Sequence, residues 1–156
     1  MSLDVEDLEF SRAGLVVRLR RSKTDQEGRG RRIGVPRGQR TETCPLQALQ
    51  AYLKAAGVDS GPVFRGVNRH GQLQQGRLSD RAVALVLKRR VQAIGLDPER
   101  FAGHSLRAGL ATSAAAVGAS ERAIANQTGH KSMDVFRRYI RDGDLFRDNA
   151  AATVDL

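Results

Sequence analysis

The chain has almost no cysteine and no long apolar run, and each scarcity excludes a class of protein. Its one cysteine, Cys44, cannot form an intramolecular disulfide framework or a cysteine-rich zinc site. No apolar stretch approaches the roughly 18 residues that a membrane-spanning helix needs, and no signal peptide is recognisable. We therefore expect a protein of the reducing cytoplasm without a membrane partner.

Acidic residues are also in short supply. Seventeen Asp and Glu stand against 26 Lys and Arg, which gives a net charge of +9 and a pI near 10.9. This balance indicates an anionic partner, most simply nucleic acid. Only four of the 26 basic residues are lysine. A GC-rich coding sequence would favour arginine too, but it explains the net positive charge less well. The preference for arginine over lysine fits phosphate contacts, because the planar guanidinium binds phosphate with two donors at once.

The length and pattern predict one α+β, mainly helical domain, in which a β-hairpin or small antiparallel sheet is followed by a helical bundle. Its 156 residues, 40% of them hydrophobic, suffice for one core. Residues 4–10 predict a helix end or a strand edge. Alternating β-branched residues from Gly14, a polar turn T-D-Q-E-G-R-G and a second strand ending at Pro36 predict the hairpin, with Lys23 near its tip.

Four helices are predicted between the hairpin and Gly129. The first begins at Pro45, has an apolar stripe and ends at Gly57, with Tyr52 partly buried. A short extended piece and a polar loop containing His70 follow it. Ser79 caps a helix over residues 79–94. Its predicted buried face consists of Val83, Val86, Leu87, Val91 and Ile94, and its basic face of Arg81, Lys88, Arg89 and Arg90.

The third predicted helix begins at His104 and the fourth at Ser120, the latter ending at Gly129. We expect the third helix to turn one face inward, formed by Leu106, Leu110, Ser113 and Val117. Its run A-G-L-A-T-S-A-A-A consists of small residues that permit close helix packing. Ser132 is expected to cap a further helix, and the tail from Asp144 favours a helix that packs either on its own domain or on another protomer.

Three short motifs carry the chemistry: H-S-L-R-A-G from His104, T-G-H-K-S around His130 and R-R-Y-I around Tyr139. His104 and Arg107 are three residues apart and share one face of a helix. Two imidazoles, a guanidinium and a phenol supply donors and a nucleophile. This set suits chemistry on a phosphodiester, where negative charge must be neutralised while a hydroxyl attacks.

These motifs, in this order and at these spacings, resemble the C-terminal catalytic domain of the tyrosine recombinases, the phage integrase family. The resemblance covers nearly the whole chain, since the hairpin lysine also fits. It implies that Tyr139 attacks a scissile phosphate to give a 3′-phosphotyrosyl intermediate, with Arg107 and His130 binding the phosphate. His104 would accept the phenol proton, and Lys23 would protonate the leaving 5′ oxygen. The reaction then needs no ATP, cofactor or metal.

The resemblance also implies duplex DNA as substrate and self-association into a tetrameric synapse. Arg81, Lys88, Arg89, Arg90 and Lys131 are the expected DNA contacts. One residue of the family pattern is missing: a first catalytic arginine in a stretch like R-x-x-E-L before the hairpin, which Arg12 does not match. We therefore expect residues 1–156 to be a partial catalytic domain that lacks the N-terminal DNA-clamping domain. It should bind DNA but show little or no strand exchange by itself.

Three alternatives remain. A type IB topoisomerase would use similar residues to relax supercoils, although L-R-A-G and R-R-Y-I favour a recombinase. A non-catalytic DNA-binding module would leave Tyr139 idle. A metal-dependent nuclease is disfavoured, because no cluster of Asp and Glu accompanies the histidines.

Overall fold

The computed structural model of the chain describes residues 3–20 and 30–129. The chain divides into two compact units, Met1–Val83 and Ala84–Leu156, and the boundary falls inside the second helix. The described part combines five β-strands with four α-helices, which confirms the predicted α+β class. In that part, every helix is too short or too polar to cross a lipid bilayer.

A three-stranded antiparallel sheet forms the centre of the first unit. Its strands are β1 (Leu8–Phe10), β2 (Gly14–Leu19) and β3 (Arg31–Pro36), with β2 in the middle. The β2 and β3 strands pair from Gly14 opposite Pro36 to Leu19 opposite Arg31, which confirms the predicted hairpin. A single 3-10 turn, Val5–Asp7, precedes β1, so the N-terminal stretch contains both a helical turn and a strand.

Alternation along the strands decides which side chains enter the core. Successive residues point to opposite faces of a sheet, and one face of this sheet packs against helix α1 (Pro45–Ala56). The core there consists of Leu15, Cys44 and Leu46, joined by Leu8, Val17, Val35 and Leu49. Helix α1 begins with proline at its first position, as predicted, and ends at Gly57 in the left-handed conformation. Tyr52 is half-buried and stacks on Phe64, with ring centroids 5.9 Å apart.

A second antiparallel pair, β4 (Arg65–Val67) and β5 (Leu73–Arg77), completes the first unit. The interpretation of residues 68–77 as a polar loop is therefore wrong over Leu73–Arg77, which form a strand. The misleading signal was glutamine and glycine, which are uncommon in strands. His70 does lie in the connecting turn and is exposed.

Helix α2 spans Asp80–Ala93, and Ser79 caps it by accepting a hydrogen bond from the N–H of Ala82 at 3.2 Å. The predicted buried face is only partly right. Val91 is buried and Leu87 half-buried, whereas Val83, Val86 and Ile94 are exposed. The covered stripe consists instead of Ala84, Leu87, Lys88 and Val91, at the spacing of one helical face.

The second unit contains helices α3 (Ser105–Ala116) and α4 (Glu121–Thr128), which pack on each other. The inward face predicted for α3 is wrong: Leu106, Leu110, Ser113 and Val117 are exposed. The contact with α4 uses the small residues instead, namely Ala111 and Ala115, which are buried against Ile124. Small side chains let two helix backbones approach closely, so the contact forms along the alanine face.

Candidate active site

His104 stands at the position that begins helix α3. Its carbonyl accepts the first helical hydrogen bond, from the N–H of Ala108 at 3.0 Å. Its side chain takes no part in capping and is exposed. The preceding turn is held by Ser105, whose Oγ accepts a hydrogen bond from the N–H of Ala102 at 2.9 Å. The backbone at His104 is therefore fixed on both sides, while its imidazole remains available for chemistry.

Arg107 lies one helical turn after His104 and is also exposed. Over residues 3–20 and 30–129, no hydrogen-bond or ion-pair partner is found for either side chain. Residues at this spacing lie on one face of the helix, and the face is at the N-terminal end, where the helix dipole favours an anion. The start of α3 thus presents a guanidinium and an imidazole, side by side, to an external negative group.

Packing between α3 and α4 holds this pair in place. Ala111 is fully buried, and Ala115 and Ile124 are nearly so. Ser120 caps α4 by accepting from the N–H of Ala123 at 3.2 Å. The α4 helix ends at Gly129, which has a φ of 73°, one residue before His130. A packed helix pair is a rigid support of the kind that a phosphate site requires.

The remaining predicted site residues fall outside the described part of the chain. They are Lys23, His130, Lys131 and Tyr139. Of the five predicted catalytic residues, the structure therefore describes His104 and Arg107, which are exposed and one helical turn apart at the N-terminal end of α3.

Three of the predicted DNA contacts on α2, Arg81, Arg89 and Arg90, are exposed. Lys88 differs from them, because its ammonium Nζ contacts both carboxylate oxygens of Glu99 at 3.0 Å and its side chain is partly covered. An arginine or lysine that already has a carboxylate partner is a weaker phosphate ligand, so Lys88 fits the predicted role less well than its neighbours.

An ion pair at the end of β2 that leads into residues 21–29 was not predicted from the sequence. The Nε of Arg20 donates to Oδ1 of Asp7 at 2.6 Å, while Oδ2 of the same carboxylate accepts from the N–H of Asp4 at 3.1 Å. Arg20 directly precedes residues 21–29, which contain Lys23, and Gly30 follows them. At Gly30 φ is 64°, and a Cβ would lie 2.7 Å from the carbonyl oxygen of Leu19, so this position requires glycine.

Comparison with known proteins gives the family directly. Residues 1–144 match the sequence profile of the phage integrase family. The chain belongs to the phage integrase family. This confirms the resemblance inferred from the H-S-L-R-A-G, T-G-H-K-S and R-R-Y-I motifs.

Two relatives agree with the assignment to the phage integrase family. The chain is 43% identical over 148 residues to a protein of Selenomonas ruminantium described as an integrase/recombinase xerD homolog. It is 30% identical over 142 residues to the tyrosine recombinase XerC of Syntrophus aciditrophicus (strain SB). The alignments cover 95% and 88% of this chain but 43% and 41% of the two relatives. The chain thus spans about two fifths of the length of the relatives that it matches.

Proposed function

We propose that this chain is catalytic-domain sequence of a tyrosine-type, site-specific DNA recombinase, acting in the cytoplasm on duplex DNA. The observation that carries the proposal is the exposed His104–Arg107 pair on α3, which has no partner within the described residues of a phage integrase family chain. A cation at a packed helix terminus that finds no carboxylate among residues 3–20 and 30–129 suits an anionic substrate better than it suits the stability of the domain.

Arg107 is assigned to the scissile phosphate. Its fork of N–H donors matches two phosphate oxygens, and its charge offsets the negative charge that builds up in the transition state. His104 is assigned as the general base. A free phenol has a pKa near 10, so at neutral pH it must give up its proton as it attacks phosphorus.

The other roles are assigned to residues outside the described part. The phenolate oxygen of Tyr139 forms a bond to phosphorus, and the bond from phosphorus to the 5′ oxygen breaks. His130 donates to the same phosphate, and Lys23 gives a proton to the departing oxygen. A second 5′ hydroxyl then attacks the phosphotyrosine, releases Tyr139 and joins the strands. The ester retains the bond energy, so no nucleotide hydrolysis enters the balance.

Arg81, Arg89, Arg90 and Lys131 are assigned to the DNA backbone, with Lys88 a weaker member of the set. Phosphate contacts of this kind hold the enzyme on the duplex without reading sequence. Joining two duplexes requires more than one active site, so we also propose self-association on DNA, up to a tetrameric synapse.

A suicide substrate tests the nucleophile. Duplex DNA nicked shortly to the 3′ side of the cleavage site loses the short fragment that carries the freed 5′ hydroxyl, which traps the covalent adduct for detection on a denaturing gel. Y139F should abolish the adduct while leaving DNA binding intact. Y52F is the matched control, because it removes the hydroxyl of the chain's other tyrosine and keeps the ring that stacks on Phe64. Undiminished adduct in Y139F would remove Tyr139 from the role.

The same preparation separates the alternatives. Relaxation of supercoiled plasmid without joining of two duplexes would favour a topoisomerase. Loss of cleavage in EDTA would point to a metal-dependent nuclease. Because the chain spans only part of its relatives' length, adduct should be followed over hours, and we expect it to form slowly.

A further inference from the structure

The β4–β5 hairpin lies in a stretch without acidic residues. Residues 61–79 contain three arginines and one histidine but no Asp or Glu. Arg77 pairs with a carboxylate from outside this stretch, that of Asp4, so the charge that can raise the local potential and attract polyanions is that of the other arginines.

Two of the three arginines hold the hairpin in place. Arg65 donates to the carbonyl of Ser60 at 2.7 Å and to Oε1 of Gln75 at 3.2 Å. Arg77 donates to the carbonyl of Leu3 at 3.0 Å and to Oδ1 of Asp4 at 2.8 Å. These donors are committed inside the first unit, so they anchor the base of the hairpin and are poorly placed to bind an external anion.

The tip, residues 68–72, is organised by one side chain. Oδ1 of Asn68 accepts hydrogen bonds from the N–H of His70 at 2.9 Å and the N–H of Gln72 at 3.0 Å. The amide of Asn68 also donates to Oε1 of Gln72 at 2.9 Å. A turn braced in this way holds the two residues at its apex, Arg69 and His70, in a defined position.

Arg69 and His70 are exposed and contact each other. Nε of Arg69 donates to Nε2 of His70 at 3.0 Å. A neutral imidazole that accepts at Nε2 carries its proton on Nδ1, so Nδ1 is a second donor beside the guanidinium. Among the described residues, no carboxylate pairs with Arg69, and its terminal nitrogens have no partner. The tip therefore presents N–H hydrogen-bond donors to solvent and carries no apolar side chain.

We propose that the tip of the β4–β5 hairpin binds the DNA backbone, with Arg69 on a phosphate and His70 donating to the same or the adjacent phosphate. The inference rests on the proposed function, because it takes duplex DNA as the ligand. A protein partner fits this tip less well, since protein interfaces are centred on apolar and aromatic side chains. A pre-organised tip also binds with less loss of conformational freedom.

Salt dependence of duplex binding provides the test. Each phosphate neutralised by a cation contributes about 0.9 to the slope of log Kobs against log salt concentration. R69A should lower the steepness of that slope by about one and weaken binding about eightfold at 0.1 M salt, equally for unrelated sequences. R69K should restore the slope. H70A should weaken binding and leave the slope unchanged at pH 8.

R12A is the matched control. Arg12 is an exposed arginine in the turn between β1 and β2 of the same unit, so its removal changes net charge equally. An unchanged slope for R69A, or an equal change for R12A, would overturn the tip as a contact. If R69A changes self-association in sedimentation and leaves the slope alone, the tip binds another protomer and the inference is wrong.

The salt-dependence test of the β4–β5 hairpin and the adduct test of the active site can fail independently. Adduct formation through Tyr139 with an unchanged R69A slope would overturn this inference and leave the proposed function intact. A chain that binds no duplex at low salt would overturn both.

Discussion

Removing the carboxylate of Asp7 should destabilise the chain far more than its place in a short N-terminal turn suggests. The Asp7 side chain is 1% exposed and accepts two hydrogen bonds, from Arg20 Nε at 2.6 Å and from the N–H of Asp4 at 3.1 Å. The Arg20 side chain is 57% exposed. The pair therefore joins a buried anion to a cation that water can reach, at the end of β2 that leads into residues 21–29.

The loss of stability differs between the two partners, because Asp7 is buried and Arg20 is exposed. D7N loses one of its two acceptors and turns an amide N–H toward a donor, which costs about 1–3 kcal/mol. R20Q leaves a carboxylate that keeps one backbone donor, and water replaces part of the lost contact. The coupling energy of the pair should be about 1 kcal/mol, since solvent screens the exposed partner. For a chain of this length, D7N should lower Tm by roughly 2–12 °C, at about 2–4 °C per kcal/mol.

Urea unfolding of the two single variants and the double variant gives the coupling energy. The matched pair is Arg32–Glu9, at 3.1 Å, in which both side chains are more than half exposed. Its own cycle, with E9Q and R32Q, should give less than about 0.5 kcal/mol. Equal coupling energies in the two cycles would show that burial of Asp7 does not strengthen its contact, and the reasoning would fail.

Three further outcomes are expected from urea or thermal unfolding. L46A should cost about 2–5 kcal/mol, since Leu46 of α1 is fully buried in the core between that helix and the sheet. A111L should cost about 1–3 kcal/mol by overpacking the α3–α4 contact, whereas L110A should stay within about 0.5 kcal/mol, because Leu110 is exposed; a core-sized loss for L110A would contradict the assigned face. Backbone N–H groups, chiefly that of Gln47, lower the pKa of the Cys44 thiol, and burial opposes them. The thiolate of Cys44 therefore contributes its full stabilisation of the fold above the unfolded-state pKa of about 8.5. This contribution is lost as pH falls through the lower folded-state pKa. C44A should remove this pH dependence of the free energy of unfolding.

Signals that act within a few residues predicted the structure well. Pro45, Ser79 and Ser120 begin helices as expected, and Gly57 and Gly129 end them in the left-handed conformation. Each depends on the backbone hydrogen bonds of one helix end, so distant residues have little influence. The β2–β3 hairpin was predictable for a similar reason, because alternation and turn chemistry act locally.

The buried faces of α2 and α3 were predicted less well, since burial depends on the partner and not on the helix alone. Large apolar residues predicted an inward face through Leu106 and Leu110, yet α3 packs on α4 through alanines. The spacing of Ala108, Ala111 and Ala115 also follows one helical face. A prediction weighted by residue size overlooks such a face, because small side chains gain little transfer free energy individually and act by permitting close approach.

The residues of the candidate site likewise fall into those placed by local helix geometry and those placed by tertiary packing. His104 and Arg107 lie three residues apart at the start of one helix, so helical geometry alone predicts both on one face, and both side chains are exposed there. Lys23 lies 82 residues before the start of that helix and Tyr139 lies 23 residues after its end, so their approach to it depends on tertiary packing, and it stays a prediction. The family match supports this approach, because the motifs occur in the family's order. Residues spread over more than a hundred positions can act on one phosphate only if the fold brings them together. If formation of the covalent adduct requires Tyr139 and is slowed by R107A, the two side chains act on the same phosphate.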